Sequence, residues 1–317
     1  MDQLLSLSKE RLSNLQIVDW SYTESDIPLT FEQYDQWVEN KLNGKLTYLS
    51  DERKEKRKSL KSIFAEFESA LVFLFDYTPE RKRLLEQSNN YQLASYVTGF
   101  EGIDYHYWIK DKLDFIAKEL ALENYTFSID AQPVLERDLA YRAGLGWFGK
   151  NSMLISKKHG SFFLIGSLLI SKKLDLPKEH DIETDHCGNC TRCIDACPTN
   201  AIIDNKVLDA SRCISTFTIE EFKPTPAPQG FEKVESIIFG CDICQDVCPW
   251  NNKPLQKADI SHDEVEWMQF FNDDLENLIQ KLNLMSNREY KRKFKGTPLE
   301  RTGRVGMLKN LQAKLKL

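Results

Sequence analysis

Hydrophobic residues recur along the first half of this chain in two alternating rhythms. Ala70-Leu71-Val72-Phe73-Leu74-Phe75 is apolar throughout and is bounded by Asp76 and Pro79, which predicts a short buried strand. Between residues 104 and 120, Ile109, Leu113, Ile116 and Leu120 return at helical spacing with charges between them. Tyr125, Phe127 and Ile129 then alternate with Thr126, Ser128 and Asp130, the pattern of a half-buried strand that ends on a carboxylate. Phe162-Phe163-Leu164-Ile165-Gly166-Ser167-Leu168-Leu169-Ile170 predicts another core strand. Strands and helices that interleave in this way imply an α/β architecture of mixed (α+β) layers.

Composition is ordinary for a globular protein, and no apolar run approaches the roughly 18 residues that a membrane span requires. Met1-Asp2-Gln3-Leu4-Leu5-Ser6-Leu7-Ser8-Lys9-Glu10 has neither a basic start nor a long apolar stretch, so a reducing cytoplasm is expected and a secreted disulfide framework is not. No coiled-coil pattern calls for obligate assembly, and a monomer is expected. Residues 1–175 read as one layered domain. A polar passage from Ser171 to His186 leads into a cysteine-rich module over 176–260, and 261–317 form a C-terminal helical segment. Within that segment, Ser286 to Leu317 holds six Lys and four Arg against Glu289 and Glu300, a net of +8 in a chain whose total is −6. Such a tail suits phosphate binding. It equally suits a solvated helix face, with Met307, Leu308, Leu311 and Leu315 packing inward.

The most specific chemistry lies in the eight cysteines, all between Cys187 and Cys248. Cys187, Cys190, Cys193 and Cys197, followed by Pro198, reproduce the C-x2-C-x2-C-x3-C-P spacing of bacterial two-cluster ferredoxins. Three closely spaced thiolates wrap one cubane, and the fourth, thrown outward before proline, reaches the other. Cys241, Cys244 and Cys248, followed by Pro249, repeat the end of that pattern, and Cys213 is the one thiol left to complete it. The partition is Cys187, Cys190, Cys193 and Cys248 on one [4Fe-4S] cluster, with Cys197, Cys213, Cys241 and Cys244 on the other. Paired CxxC motifs also build closed zinc sites, which is the competing reading. Some 180 residues precede the first cysteine, far more than an electron carrier needs.

Gly144-Leu-Gly146-Trp-Phe-Gly149 fits the dinucleotide pattern by letter. That fingerprint must follow a strand and open a helix, whereas the residues before it look helical. A glycine-rich turn presenting Lys150, Asn151 and Ser152 is the better reading. Gly102-Ile-Asp104-Tyr-His106, Asp130-Ala-Gln-Pro-Val-Leu-Glu136-Arg137, Arg142-Ala-Gly-Leu-Gly-Trp-Phe-Gly-Lys150-Asn151 and the two cysteine runs stand in an order that resembles the epoxyqueuosine reductases. The resemblance runs from about Arg57 to the Arg301-Thr-Gly-Arg304 stretch.

What the resemblance implies is a cobalamin-dependent reduction of epoxyqueuosine to queuosine at the wobble position of tRNA. The implied fold is similar to that of reductive dehalogenases, with a ferredoxin-like module against the corrin. By position the proton donor falls on Asp130; capping of the following helix or pairing with Arg137 is the plainer role for this residue. The implied cofactor contacts are Arg57, Asp104, His106, Lys150, Asn151, Ser152 and Ser215. Ile109 stands where a corrinoid DxHxxG motif has glycine, so His106 is not assigned as a lower axial ligand. The implied partners are tRNA carrying epoxyqueuosine and an external low-potential electron donor. A corrinoid reductase of a small molecule and a non-enzymatic electron carrier are the alternatives, and copurified cobalt separates the second from the rest.

Overall fold

The computed structural model describes residues 9–87, 90–174, 176, 181–260 and 265–315. Met1 to Ser8 lie outside the described residues, as do Asp175, Pro177, Lys178 and Glu179 of the polar passage. A four-stranded sheet organises the first half of the molecule. Its strands are β1 (Ile17–Thr23), β2 (Ser69–Asp76), β4 (Tyr125–Ser128) and β7 (Phe163–Ile170), in the order β1-β2-β7-β4 and antiparallel throughout. β2 and β7 are central and covered on both faces, which is why their sequences are continuously apolar rather than alternating. Leu71, Phe73 and Phe75 point into one core with Ile109, Leu113 and Ile116 of the helix Tyr105–Glu119. Ala70, Val72 and Leu74 point into the opposite core with Leu139 and Ala140 of the helix Glu136–Arg142. Gly166 lets the Tyr105 helix approach the sheet, since a Cβ there would stand 2.7 Å from Ile109 Cγ2.

The glycine-rich segment opens a hairpin, not a helix. β5 (Trp147–Phe148) pairs antiparallel with β6 (Leu154–Ile155), which removes the dinucleotide reading. A Cβ on Gly146 would lie 2.2 Å from the Ile155 carbonyl, so close strand approach accounts for that glycine.

The cysteine module contains two short helices, Arg192–Asp195 and Ile243–Asp246, which pack against each other, and the hairpin of β8 (Ile202–Asp204) and β9 (Val207–Leu208). It is joined to the rest by more than its chain ends. β10 (Ile237–Phe239) pairs in parallel with β3 (Gln92–Leu93). Around that pair one apolar core gathers Val97, Ile238, Phe239, Met268, Leu278, Tyr290, Phe294, Met307 and Leu311. The C-terminal helix Leu299–Gln312, interrupted at Gly303, supplies the last two. Lys309 and Lys314 do not face water. Their ammonium groups donate to the carbonyls of Phe217 and Glu221, and of Phe231 and Val234, and burial pushes both down to about 8. Among the described residues no helix is long and apolar enough to cross a membrane.

Candidate active site and cluster module

Asp130 sits two residues past the end of β4 in the left-handed region, φ 55°, a conformation that aspartate tolerates better than most residues. Its Oδ2 accepts a 2.7 Å hydrogen bond from the Tyr105 hydroxyl. Its backbone N–H donates to Glu136 Oε1 at 2.6 Å, and the same oxygen accepts from Ser128 Oγ at 2.5 Å. One carboxyl group therefore clasps both ends of the turn that presents Asp130. Burial, and then the charge of Asp130, push Glu136 up to about 8.

The charge of Asp130 is felt by groups from remote parts of the chain. Burial raises Tyr48 to about 12, with Glu220 and Asp130 adding to the shift and Arg301 and Arg57 opposing it. Tyr96 is raised by burial and then by Asp130 and Glu220. Arg301 pairs with Glu220 at 2.7 Å. Arg57 is 8% exposed and lies over the Tyr34 ring at 5.6 Å, and its Nη1 has no hydrogen-bond partner among the described residues. A buried guanidinium proton with nothing to donate to marks a place where an acceptor belongs.

The short π-helical turn Thr216–Glu220 connects Glu220, which ends it, to Cys213, which precedes it. Burial raises Cys213, but the backbone N–H groups of Thr216 and Ser215 point at its sulfur and oppose the shift. The thiols fall into two sets by mutual influence. Beyond burial, Cys241 feels Cys213 and Cys197, and Cys244 feels Cys241 and Cys213. Cys248 feels Cys187, Cys193 and Cys190. Cys244 also feels Cys193, so the sets are neighbours. Among the described residues no three His, Cys, Asp or Glu side chains converge on a single-ion site.

The other sequence-predicted residues are distributed as follows. Asp104 caps the Tyr105 helix through the His106 N–H at 3.0 Å and pairs with His106 Nδ1 at 2.7 Å; the His106 ring stacks on Tyr105. Lys150 donates to the Gly188 carbonyl at 2.8 Å, Asn151 to Cys244 at 3.3 Å and Ser152 to Lys206 at 2.8 Å. The turn between β5 and β6 thus straps the cysteine module to the layered domain. Ser152 is also held from the other side, its carbonyl accepting from Arg137. Tyr48, Tyr96, Tyr105, Glu136 and Glu220 were not singled out by sequence reasoning. Only Tyr105 and Glu136 carried a signal, as unremarked positions inside the Asp104 and Asp130 motifs.

A second basic feature lies apart. Arg288, Lys291, Arg292 and Lys295 line an open hollow of about 590 Å³ with Ser286, Glu289 and Glu300. Ser286 and Glu289 form a reciprocal capping box that starts the helix Asn287–Lys293.

An acid-bearing α/β site joined to a two-set cysteine module defines an iron-sulfur oxidoreductase. The family model for the 4Fe-4S double cluster binding domain matches residues 186–251, and the epoxyqueuosine reductase QueG model matches residues 57–132. The epoxyqueuosine reductase of Cyclobacterium marinum is 36% identical over 311 residues, covering 93% of this chain and 90% of that protein. Among solved structures, epoxyqueuosine reductase from Streptococcus thermophilus superposes with a TM-score of 0.79 at 25% identity, covering 99% of this chain and 81% of that one. A crystal structure of epoxyqueuosine reductase with an epoxyqueuosine-modified tRNA-Tyr stem loop gives 0.70 at 26% identity, with the same coverage. The chain belongs to the epoxyqueuosine reductase family, and its cysteine module is a 4Fe-4S double-cluster domain.

Proposed function

We propose that this protein reduces epoxyqueuosine to queuosine at the wobble position of tRNA in the cytoplasm, acting as a monomer with cobalamin and two [4Fe-4S] clusters. The observation that supports this reading is Asp130, held by the Tyr105 hydroxyl on a turn that Glu136 clasps, in a chain whose cysteine module is a 4Fe-4S double-cluster domain. Removing the epoxide oxygen as water consumes two electrons and two protons and leaves an alkene. Cobalamin, when bound, supplies a cobalt able to collect single electrons and act on carbon.

The chain's own residues do the rest. Cys187, Cys190, Cys193 and Cys248 hold one cluster, and Cys197, Cys213, Cys241 and Cys244 hold the other; both draw on an external low-potential donor. Arg57 offers its unpaired N–H to a corrin amide or phosphate. Asp104, His106, Lys150, Asn151, Ser152 and Ser215 would complete the cofactor contacts; of these, Asp104 and His106 pair with each other, and Lys150, Asn151 and Ser152 already donate to the Gly188, Cys244 and Lys206 carbonyls. Asp130 gives a proton to the departing oxygen as its C–O bond breaks, and the Tyr105 hydrogen bond keeps the carboxyl aimed. The Arg288 hollow receives tRNA phosphates.

The test is anaerobic turnover of epoxyqueuosine-containing tRNA by protein with reconstituted clusters, cobalamin and a strong reductant, read by nucleoside mass spectrometry. Cobalamin-dependent loss of one oxygen is expected, falling roughly 10²-fold or more in Asp130→Asn. No conversion at full cluster and corrin occupancy would move the assignment to a small-molecule corrinoid reductase.

A further inference from the structure

We infer that Trp147 is a positioning residue of the first cluster, its indole N–H donating a hydrogen bond to sulfur of the cluster held by Cys187, Cys190, Cys193 and Cys248. The inference rests on that ligand assignment. Trp147 is 1% exposed, and its Nε1 is buried with no hydrogen-bond partner among the described residues. Indole N–H is a donor only, and a buried donor left unmade is costly enough that a native fold rarely keeps one. The surroundings narrow the missing acceptor. Trp147 packs with Ile155, Cys248, Cys187 and Trp250 in one small cluster, so two of its neighbours are cysteines of the same set. Its ring meets Trp250 edge-on at 4.9 Å and His186 at 4.8 Å. The Nε2 of His186 is taken by Glu183 Oε1 at 2.6 Å. A buried water needs two to four polar partners, which an aromatic and aliphatic box does not offer. No cysteine sulfur among the described residues accepts from it, so cluster sulfide is the acceptor chemistry that remains.

The placement is enforced by the fold. Trp147 lies opposite Ile155 in the β5–β6 hairpin, and the next turn is strapped to both cysteine runs through the Gly188 and Cys244 carbonyls. An N–H···S bond favours the more negative, reduced cluster and therefore raises its reduction potential. Trp147 thus biases one of the two clusters toward holding the electron, and so sets a direction between them.

The experiment is an EPR-monitored redox titration of the full-length protein with reconstituted clusters, without cobalamin or tRNA. Trp147→Phe keeps a ring in the box and removes the donor. One cluster's midpoint is expected to move negative by up to about tenfold in the reduction equilibrium, ~59 mV for one electron, while the other stays. Trp250→Phe, which removes no buried unpaired donor, is expected to leave both midpoints in place. Unchanged midpoints in Trp147→Phe, or an equal shift in Trp250→Phe, overturn the inference. If Trp147→Phe does not assemble its clusters, pulsed EPR of the wild-type protein labelled with indole-¹⁵N tryptophan decides. A ¹⁵N coupling on the reduced cluster is expected, and its absence overturns the inference. Iron and sulfide content separates these outcomes from failure of the ligand assignment, which would leave fewer than two clusters bound.

Discussion

Asp130 owes its presentation to two neighbours of different character. Tyr105 donates to the side chain and Glu136 accepts from the backbone, so orientation and loop position are controlled separately. The Glu136 clasp carries a pH dependence with a definite sign. Burial raises its folded-state pKa to about 8 from an ordinary value of 4.5. A carboxyl raised in this way contributes stability that is fully present below about 4.5 and is lost as pH rises through 8. Thermal melts of the protein are therefore expected to weaken progressively from about pH 4.5 to about 8 and to level off above, and Glu136→Gln, which keeps an accepting oxygen but cannot ionise, should flatten that trend. An unaltered profile in the variant would remove Glu136 as the cause. Proximity in sequence exposed Glu136 as part of a motif; its grip on a residue six positions earlier came from the left-handed turn, which no spacing pattern encodes.

At the scale of elements, docking of the second cysteine run depends on the helix Thr78–Glu86. Its Arg81, 4% exposed, makes two 2.6 Å hydrogen bonds to Asp246 and stands 3.6 Å from Asp242. Asp242 in turn accepts from the backbone and hydroxyl of Ser95 at 2.7 and 2.6 Å. Removing one partner of a buried charge network leaves the others uncompensated, at about 3–5 kcal/mol. Arg81→Met is expected to lose that much in denaturant titration and to shed iron faster from the cluster that includes Cys241 and Cys244. A loss below about 1 kcal/mol would mean that water already compensates the acids. The core strands near 70–75 and 162–170, the helix over 104–120 and the half-buried strand from 125 were legible because burial imposes period. Arg81 was not, because a lone arginine in a charged stretch reads as solvated until its carboxylates arrive from 165 residues away.

For the molecule as a whole, the basic C-terminal segment divides its work. Lys309 and Lys314 turn inward and, with Asn310, tie the last helix to the loops around the second cluster; Asn310 donates to Thr218 and Ile238 carbonyls at 2.9 and 3.0 Å. Arg288, Lys291, Arg292 and Lys295 remain exposed around the hollow. Charge reversal of these four is expected to raise KM for tRNA at low salt and to flatten its rise with salt, by removing phosphate contacts, while kcat at saturating tRNA and cluster content stay unchanged. A KM and salt slope equal to those of the wild-type protein across about 50 to 200 mM salt would place the tRNA contact elsewhere. Both readings of the tail considered from charge were incomplete, since neither anticipated lysines buried against carbonyls.

The sequence alone determined the layered core, through hydrophobic period, and the two-cluster character, through thiol spacing, because both are local and repeat along the chain. It also marked Asp130, by its place in a motif. Tertiary structure alone decided what surrounds that residue. Tyr48, Tyr96 and Glu220 feel its charge from separate segments, and the orphaned N–H groups of Arg57 and Trp147 become visible only once burial removes water as their partner. Convergence of distant side chains is a property of how elements pack, and no one-dimensional period records it.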